Sequence, residues 1–278
     1  MKRQTQGRQK KIAVINDMSG YGRCSIAVSL PVISRLKVQC CVVPTAVFSN
    51  HTAYPNYFFD DYTERMPEYI RNWELLGLSF SGIYSGFLGS GEQIGIVRNF
   101  IETFREPDTQ VIVDPVMGDH GEPYATYTPR MCLEMKELVR YADILTPNLT
   151  EACILTDTPY KEKWRKKEIV EMAEKLMEQG PGKVVITGIA QGGYIANYVC
   201  ERGKTGKFLR TVRVGTQRCG TGDLFASIIA ADAVNGVDFA ASVKKASGFV
   251  KKSIEKAIEM EIPVTDGVPF EEILDKLK

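Results

Sequence analysis

Histidine and long apolar runs are scarce in this sequence of 278 residues. The two histidines are His51 and His120. Two histidines exclude a histidine-rich metal site, and a Ser-His-Asp triad would have to use one of them. No stretch approaches the roughly 18–20 uninterrupted apolar residues that span a bilayer. The sequence therefore predicts neither a membrane protein nor a metal site built from histidines.

Net charge is also nearly absent, because 35 basic side chains face 34 acidic ones. A formal charge of +1 gives no excess of positive charge that would indicate nucleic-acid binding. Five basic residues lie within the first 11, and no apolar segment of a signal peptide follows them. We expect a basic, disordered tail over residues 1–10 and a single domain over residues 11–278.

Cysteine is present seven times, an odd number, and no C-x-x-C pair occurs. This pattern is typical of reduced thiols that pack as small apolar side chains. We therefore expect a cytoplasmic protein.

Apolar, β-branched segments alternate with helical patterns along the chain, which favours a three-layer α/β fold with a doubly wound, mostly parallel sheet flanked by helices. Residues 192–199 and 208–214, joined by a polar turn, predict a small antiparallel hairpin at the sheet edge. Ligands in such folds bind outside the carboxyl ends of the strands. The predicted parallel strands are 11–16, 38–46, 82–86, 110–114, 143–146 and 183–187.

The motif Gly220-Thr221-Gly222-Asp223 directly precedes a predicted helix. Glycines allow a tight turn, and the backbone N–H groups of a helix start form an anion hole. Asp223 there is either a base beside a developing phosphoryl charge or a helix cap. The G-x-x-x-x-G-K-[ST] motif of P-loop proteins and the protein-kinase signature are absent.

The motif DPVMGD, residues 114–119, follows a predicted buried strand. Asp114 and Asp119 suit Mg²⁺, held directly or through its waters. An ordinary Asp-Pro turn is the alternative.

The motif TPNLTE, residues 146–151, follows the next predicted strand. Asn148 and Glu151 have the spacing of a capping box. The alternative is that both side chains point at a cluster of metal and phosphate.

Two further polar segments follow the first two strands, Asn16–Gly22 and Phe48–Thr52. His51 in the second segment fits a hydrogen-bonded structural residue better than a catalyst. An aromatic run follows it, which predicts either a loop over a flat ring or a satellite hydrophobic cluster. The run consists of Tyr54, Tyr57, Phe58, Phe59 and Tyr62.

Together these motifs resemble the ribokinase-like superfamily, and within it the vitamin B6 kinases. The resemblance extends from about residue 11 to residue 260. It implies a homodimeric kinase of vitamin B6 salvage that uses ATP and Mg²⁺ and, in some members, a monovalent cation such as K⁺. The matching motifs are FSNHT (48–52), DPVMGD (114–119), TPNLTE (146–151), VVITG (184–188) and GTGD (220–223).

The resemblance also implies roles for individual residues. Asp223 is then the base that deprotonates the 5′-hydroxymethyl group of pyridoxal, pyridoxine or pyridoxamine, and Gly220, Thr221 and Gly222 form the anion hole. The implied Mg²⁺ residues are Asp114, Asp119 and Glu151. The implied ATP-binding residues are Thr146, Asn148, Thr187 and either Tyr124 or Tyr127. The implied substrate-binding residues are Asp17, Ser19, His51, Thr52 and Phe87, with the Phe87 ring stacking near the substrate.

One segment departs from the B6 kinase pattern. Many pyridoxal kinases have a Ser-His pair after the first strand, whereas this chain has Asn16-Asp17-Met18-Ser19-Gly20. An Asp before Ser-Gly instead resembles the hydroxymethylpyrimidine kinases of thiamin synthesis, so Asp17 faces either a B6 vitamer or an aminopyrimidine. The FSNHT and GTGD motifs are closer to the B6 branch, and many hydroxymethylpyrimidine kinases have Cys in place of Asp223.

Two questions stay open at this point. The Cys219 thiol, next to the anion hole, either meets a pyridoxal aldehyde or is a plain loop residue. The protein could also be a catalytically silent regulator that binds a B6 vitamer. The acidic residues implied in catalysis and in Mg²⁺ binding are present together, which argues against silence, and these are Asp114, Asp119, Glu151 and Asp223.

Overall fold

The structure, a computed structural model, describes residues 9–124 and 126–278. Eleven strands and eight α-helices form in these residues. The strands are β1 Lys11–Ser19, β2 Gln39–Phe48, β3 Phe59–Asp61, β4 Gly82–Ser85, β5 Gln110–Val113, β6 Gly118–Asp119, β7 Glu122–Pro123, β8 Ile144–Leu145, β9 Lys183–Gln191, β10 Tyr194–Glu201 and β11 Lys207–Val212. The helices are α1 Ser25–Arg35, α2 Met66–Leu75, α3 Gly91–Phe104, α4 Pro129–Val139, α5 Leu149–Leu155, α6 Lys166–Glu178, α7 Thr221–Asn235 and α8 Phe239–Glu259.

Nine of the strands form one sheet in the order β11-β10-β9-β8-β5-β4-β1-β2-β3. The six strands from β9 to β2 in that order are parallel, as their continuous apolar sequences predict. The hairpin of β10 and β11 forms one antiparallel edge, which confirms that prediction. The carboxyl ends of the parallel strands therefore meet at one side of the sheet, which we call the carboxyl edge.

Helices cover both faces of this sheet, so the architecture has three layers. Along β1, Ala13 and Ile15 pack with α2 to α6, whereas Ile12 and Val14 pack with α1, α7 and α8. This alternation follows from the two-residue period of a strand, whose successive side chains point to opposite faces. Both faces of β1 are therefore in core, which explains its unbroken apolar run.

The short elements are where the structure departs from the sequence-based expectations. The three-residue strand β3 pairs antiparallel with β2, and β6 pairs with β7 in a separate hairpin. Segments of two or three residues show no periodicity, so their pairing depends on position in the fold. The predicted helix over residues 269–277 is a 3₁₀ helix, Phe270–Lys276, rather than an α-helix.

At the N-terminus, residues 1–8 of the predicted tail lie outside the described residues. Lys10 already belongs to the fold, because its ammonium donates to the Val234 carbonyl at 2.6 Å and its own carbonyl accepts from the Gln39 N–H at 2.9 Å. All seven cysteines are unpaired thiols. Within the described residues, no helix has the length and apolarity to cross a membrane.

Candidate active site

The loop before α7 has the backbone shape that the GTGD motif predicts. Gly220 is left-handed, with φ of 73°, and α7 begins at the next residue. A Cβ atom at Gly220 would overlap the carbonyl oxygen of Arg23, so only glycine fits there. The first N–H groups of α7 have no acceptor within the helix and face outward at its start. These N–H groups are suited to the anion hole that the resemblance implies for Gly220, Thr221 and Gly222.

A buried arginine, Arg218, links this loop to the C-terminal segment. Arg218 is 8% exposed, and its guanidinium donates to the carbonyl oxygens of Ile262 at 2.9 Å, Pro263 at 3.0 Å and Gly267 at 3.2 Å. The Thr221 hydroxyl donates to the Arg218 carbonyl at 2.9 Å. Nη1 of Arg218 thus links the loop to residues 262–267, whereas its buried Nε has no hydrogen-bond partner among the described residues.

Asp223 lies in the first turn of α7, half-buried beside the predicted anion hole. The carboxamide of Asn16 donates to its Oδ1 at 3.3 Å, and the backbone N–H of Ser25 is a second hydrogen-bond donor. Burial raises the pKa of Asp223 to about 6, and the charge of Asp17 adds to the rise. A carboxylate with a pKa near 6 is ionised at neutral pH and is a better proton acceptor than an ordinary aspartate.

Asp17 approaches the same point from β1. The register of β1 against β2 shifts between Asn16 and Met18, and this irregularity brings the consecutive side chains of Asn16 and Asp17 into the site. The Ser19 hydroxyl donates to Asp17 at 3.1 Å, which joins two of the predicted substrate-binding residues. Burial raises the pKa of Asp17, and hydrogen bonds from Ser25 and Ser19 oppose the rise.

Ser25 contacts both carboxylates, a role that no sequence motif predicted. Its φ of 52° is in the left-handed region, which a non-glycine residue rarely adopts. Such strain is common where a backbone group serves a functional site. Here it directs the Ser25 backbone N–H to Asp223 while its hydroxyl reaches Asp17.

A second acidic group lies at the ends of β5 and β8. The Thr146 hydroxyl donates to Asp114 at 2.8 Å, and Glu151 accepts from the backbone N–H groups of Asn148 at 2.8 Å and Met117 at 3.3 Å. Burial raises the pKa of Asp114 to about 7, and the charge of Asp223 adds to it. Burial and the charge of Asp114 hold the pKa of Glu151 well above its ordinary value.

These two carboxylates fit the neighbourhood of a divalent cation, because they are buried together and a cation would offset their mutual repulsion. Asp119 lies nearby on β6, where it accepts from the His120 N–H at 2.8 Å and from the side chain of Gln217. Within residues 9–124 and 126–278, however, no group of three or more His, Cys, Asp or Glu side chains is close enough to hold a metal ion by itself. The acidic group therefore suits Mg²⁺ that keeps waters or phosphate oxygens as further ligands.

Asn148 and Glu151 form the capping box that their spacing predicts. Asn148 Oδ1 accepts from the Glu151 N–H at 3.0 Å, while the Glu151 carboxylate accepts from the Asn148 N–H. Thr187 forms a parallel bridge with Asn148, and its hydroxyl donates to the Pro147 carbonyl at 3.4 Å. Three predicted ATP-binding residues, Thr146, Asn148 and Thr187, thus lie together at the carboxyl edge.

The two candidate tyrosines are placed differently. Tyr124 is 42% exposed, and its phenol is close enough for the charges of Glu151 and Asp119 to act on it. Tyr127 is 5% exposed and packs in the core under α3 and α4. The accessible position favours Tyr124 as the residue beside the nucleotide.

The predicted substrate side is built from the ends of β2 and β4. The Phe87 ring is half-buried, with its centroid 6.2 Å from that of Phe48, which also contacts Phe59 and Tyr57. Two residues of the aromatic run, Tyr57 and Phe59, thus cluster around Phe48, which contacts the predicted stacking residue. Thr52 is exposed on the loop that follows β2.

His51 contacts the thiol of Cys219, whose Sγ lies 3.3 Å from Nδ1. Burial lowers the pKa of His51, so the imidazole is neutral at physiological pH. Burial also raises the pKa of Cys219, so this cysteine is a thiol rather than a thiolate. The pair joins the FSNHT segment to the anion-hole loop.

A groove of about 400 Å³ lies far from this site, between the C-terminal ends of α4, α5 and α6. Its walls carry both charge signs, including the ion pair of Lys136 and Asp157 at 2.6 Å. The groove lies at the amino ends of β8 and β9, away from the clustered carboxylates. The chemistry-bearing residues are instead gathered at the open carboxyl edge.

Comparisons with known proteins agree with this geometry. A family model described as phosphomethylpyrimidine kinase matches residues 26–265. A pyridoxine/pyridoxal/pyridoxamine kinase from Bordetella avium is 31% identical over 84% of this chain and 81% of its own length. A phosphomethylpyrimidine kinase candidate from Bacteroides thetaiotaomicron, crystallised with pyridoxal, is 36% identical, with a TM-score of 0.94 over 97% of this chain and 96% of that one.

A thiamine biosynthetic bifunctional enzyme from Arabidopsis thaliana is also similar, at 28% identity over 94% of this chain. This chain spans 49% of that longer enzyme. The matches confirm the ribokinase-like fold and the resemblance to vitamin B6 kinases. The chain therefore belongs to the phosphomethylpyrimidine kinase family and is a kinase.

Proposed function

We propose that this kinase transfers the γ-phosphoryl group of ATP to the 5′-hydroxymethyl group of pyridoxal, pyridoxine or pyridoxamine. The observation that carries the proposal is the position of Asp223, in the first turn of α7 beside the predicted backbone anion hole, where the neutral carboxamide of Asn16 donates to it. A base next to an anion hole is the arrangement that transfer of a phosphoryl group to a hydroxyl requires.

Each part of the site then has a separate task. Asp223 accepts the proton of the substrate hydroxyl, and its pKa of about 6 leaves it ionised for that purpose at neutral pH. The N–H groups at the start of α7 stabilise the charge on the transferred group. Asp114, Glu151 and Asp119 would hold Mg²⁺ through its waters, and Thr146, Asn148, Thr187 and Tyr124 would contact the ATP phosphates. A bound metal ion would neutralise part of the charge of the phosphates.

The substrate would occupy the space between Phe87 and Asp17. The aromatic cluster around Phe48 supports an aromatic ring there, and Asp17 would face a polar atom of that ring. The B6 vitamer is favoured over the aminopyrimidine because a relative named as a B6 kinase is 31% identical to this chain and a relative crystallised with pyridoxal is 36% identical. The hydroxymethylpyrimidine is the second candidate, supported by the Arabidopsis relative and the family description.

A substrate panel tests the proposal. Purified protein with ATP and Mg²⁺ is given pyridoxal, pyridoxine, pyridoxamine and hydroxymethylpyrimidine, and kcat/KM is measured for each. We expect the highest value for a B6 vitamer, and a clear preference for the pyrimidine would overturn the choice. Binding of a vitamer without ATP consumption would instead favour the silent regulator. K⁺ is varied in the same assay, because a monovalent-cation requirement is also a prediction.

The role of the base is tested with Asp223→Asn. We expect kcat to fall roughly 10²–10⁴-fold, the usual contribution of a positioned base, with a small change in the KM for ATP. Near-normal turnover would contradict the assignment. The predicted homodimer and cytoplasmic location can be checked by sedimentation and by fractionation of cells.

A further inference from the structure

Asn16 lies at the carboxyl end of β1 with a side chain that is 0% exposed. Its Oδ1 accepts hydrogen bonds from the backbone N–H of Asp17 at 3.0 Å and of Phe87 at 2.9 Å. Its Nδ2 donates to Asp223 Oδ1 at 3.3 Å. One carboxamide therefore contacts three segments of the active site, which come from β1, the end of β4 and the start of α7.

The orientation of this carboxamide follows from its partners. Two backbone N–H groups need an acceptor, so the oxygen must face Asp17 and Phe87. The NH₂ group is then the part that faces Asp223, and a carboxylate can only accept from it. A rotated amide would leave two buried N–H groups unpaired and set its oxygen against the Asp223 carboxylate. The donor is thereby locked toward Asp223.

The surroundings are shaped to this side chain. A Cβ atom at Gly86 would overlap the Asn16 carboxamide, so the chain has glycine where β4 passes closest to it. The register shift after Asn16 lets β1 leave its regular pairing at this point. Asn16, a polar residue at the end of the apolar segment KIAVI, is thus buried in a space that matches its side chain.

We propose that Asn16 is a positioning residue that orients the Asp223 carboxylate toward the substrate hydroxyl and ties it to the Phe87 backbone at the ring site. The inference rests on the proposed role of Asp223 as base. Asn16 does not touch the reacting atoms. It acts through Asp223, whose Oδ1 it holds by a hydrogen bond.

Several titratable groups act on Asp223 or respond to its charge, and any pH measurement includes them. They come from β1, β4, the end of β5, the start of α1 and two loops. These groups are Asp17, Tyr84, Asp114, Cys24, Cys219 and Tyr124.

The variant Asn16→Asp tests the proposal sharply. Aspartate has the same shape and can still accept from the Asp17 and Phe87 N–H groups, but it offers Asp223 an acceptor and a like charge instead of a donor. We expect kcat/KM for the vitamer at pH 7 to fall at least about tenfold, since a hydrogen bond to a charged group is lost. The acid limb of the pH profile should move up by about one pH unit, because the neighbouring charge disfavours ionised Asp223. The KM for ATP should change less than about twofold.

Gln93→Glu is the matched control. Gln93 is also a 0% exposed carboxamide, it accepts from the Gly89 N–H at 2.7 Å, and it donates to a carboxylate, Asp61, at 3.1 Å. Asp61 is not part of the proposed chemistry. We expect this variant to lose stability without moving the acid limb. If both variants move it equally, the effect is structural and the proposal is wrong.

Further outcomes separate this inference from the proposed function. Loss of turnover in Asp223→Asn, combined with wild-type kinetics in Asn16→Asp, would overturn the role of Asn16 and leave the base in place. Full turnover in Asp223→Asn would contradict the base, and the role of Asn16 with it. If Asn16→Asp does not fold, Asn16→Ala removes the donor without adding charge. An unchanged acid limb and kcat in that variant also overturn the proposal.

Discussion

The two ends of α7 each carry an aspartate, but very different groups hold the two carboxylates. Asp232, near the C-terminal end, is 1% exposed, and it contacts the Lys245 ammonium at 2.5 Å and the Ser242 hydroxyl at 2.7 Å. Asp223, in the first turn, is half-buried and receives its hydrogen bonds from a carboxamide and a backbone N–H, both neutral.

The difference shows what a base requires. A cation beside a carboxylate favours its ionised form and so makes it a poor proton acceptor. Neutral donors position the carboxylate while burial keeps the pKa of Asp223 raised to about 6. We infer that Asp232 contributes to stability and Asp223 to proton transfer. We also infer that Asp223 lowers stability, because its partly buried charge receives hydrogen bonds from neutral groups.

The largest stability effect should come from breaking the ion pair. Asp232→Asn leaves Lys245 without its carboxylate, with the Lys278 carbonyl at 3.0 Å still accepting from it. Losing one member of a buried pair costs about 3–5 kcal/mol in general. The Lys245 side chain is 26% exposed and can regain some water, so we expect the free energy of unfolding to fall by about 2–3 kcal/mol. Urea unfolding at pH 7.5 measures this change.

Turnover separates the two aspartates in the same experiment. Asp232→Asn should keep kcat within about twofold per folded molecule, because it lies at the far end of α7 from the anion hole. A large loss of kcat in this variant would show that the two ends of the helix do not have separate tasks.

Asp223→Asn should have the opposite effect on stability. The pKa of Asp223 is about 6 in the folded protein against 3.8 for the free group, so folding disfavours its ionised form. Removing the charge should raise the free energy of unfolding at pH 7.5 by about 1–2 kcal/mol, less than the full shift implies because the carboxylate keeps some contact with water. The variant would then be more stable and almost inactive.

The pH dependence of this gain has a definite sign. Well below pH 3.8 the carboxyl is protonated in the folded and in the unfolded protein, so the stabilisation from its raised pKa is fully present. As the pH rises through about 6, folded Asp223 ionises and that stability is lost. The difference between Asp223→Asn and the wild type should therefore be large at pH 7.5 and small near pH 4.5. A difference that is independent of pH contradicts the raised pKa.

The sequence predicted which acidic residues meet in the site, but it did not predict what the buried polar residues Asn16 and Asp232 contact. Asp223, Asp114 and Glu151 follow glycine turns or strand ends, where an α/β sheet places its ligands, so their convergence was predictable. Asn16 and Asp232 each interrupt an apolar segment of the sequence. Such a segment does not indicate what a buried polar side chain within it contacts. Partners 207 and 13 residues away decide their roles.

The fold likewise has elements that the sequence predicted and elements that it did not. The parallel strands and the hairpin of β10 and β11 have sequence patterns of their own, and the structure confirms them. The strand β3 has the sequence Phe-Asp-Asp and owes its pairing to β2. Tyr127 precedes the N-cap of α4, and packing against that helix and α3 turns it into the core, which no local spacing could have predicted.

The smallest effect should come from removing the whole ion pair at the stable end of α7. Asp232→Leu combined with Lys245→Met replaces the pair with apolar side chains, which is often neutral for a buried pair. The Ser242 hydroxyl then loses its acceptor, so we expect a loss of about 1 kcal/mol, smaller than for either single substitution. A double-mutant cycle by urea unfolding measures the coupling, which should exceed about 1 kcal/mol. Additive losses would mean that Lys245 does not compensate Asp232, and the contrast with Asp223 would then rest on burial alone.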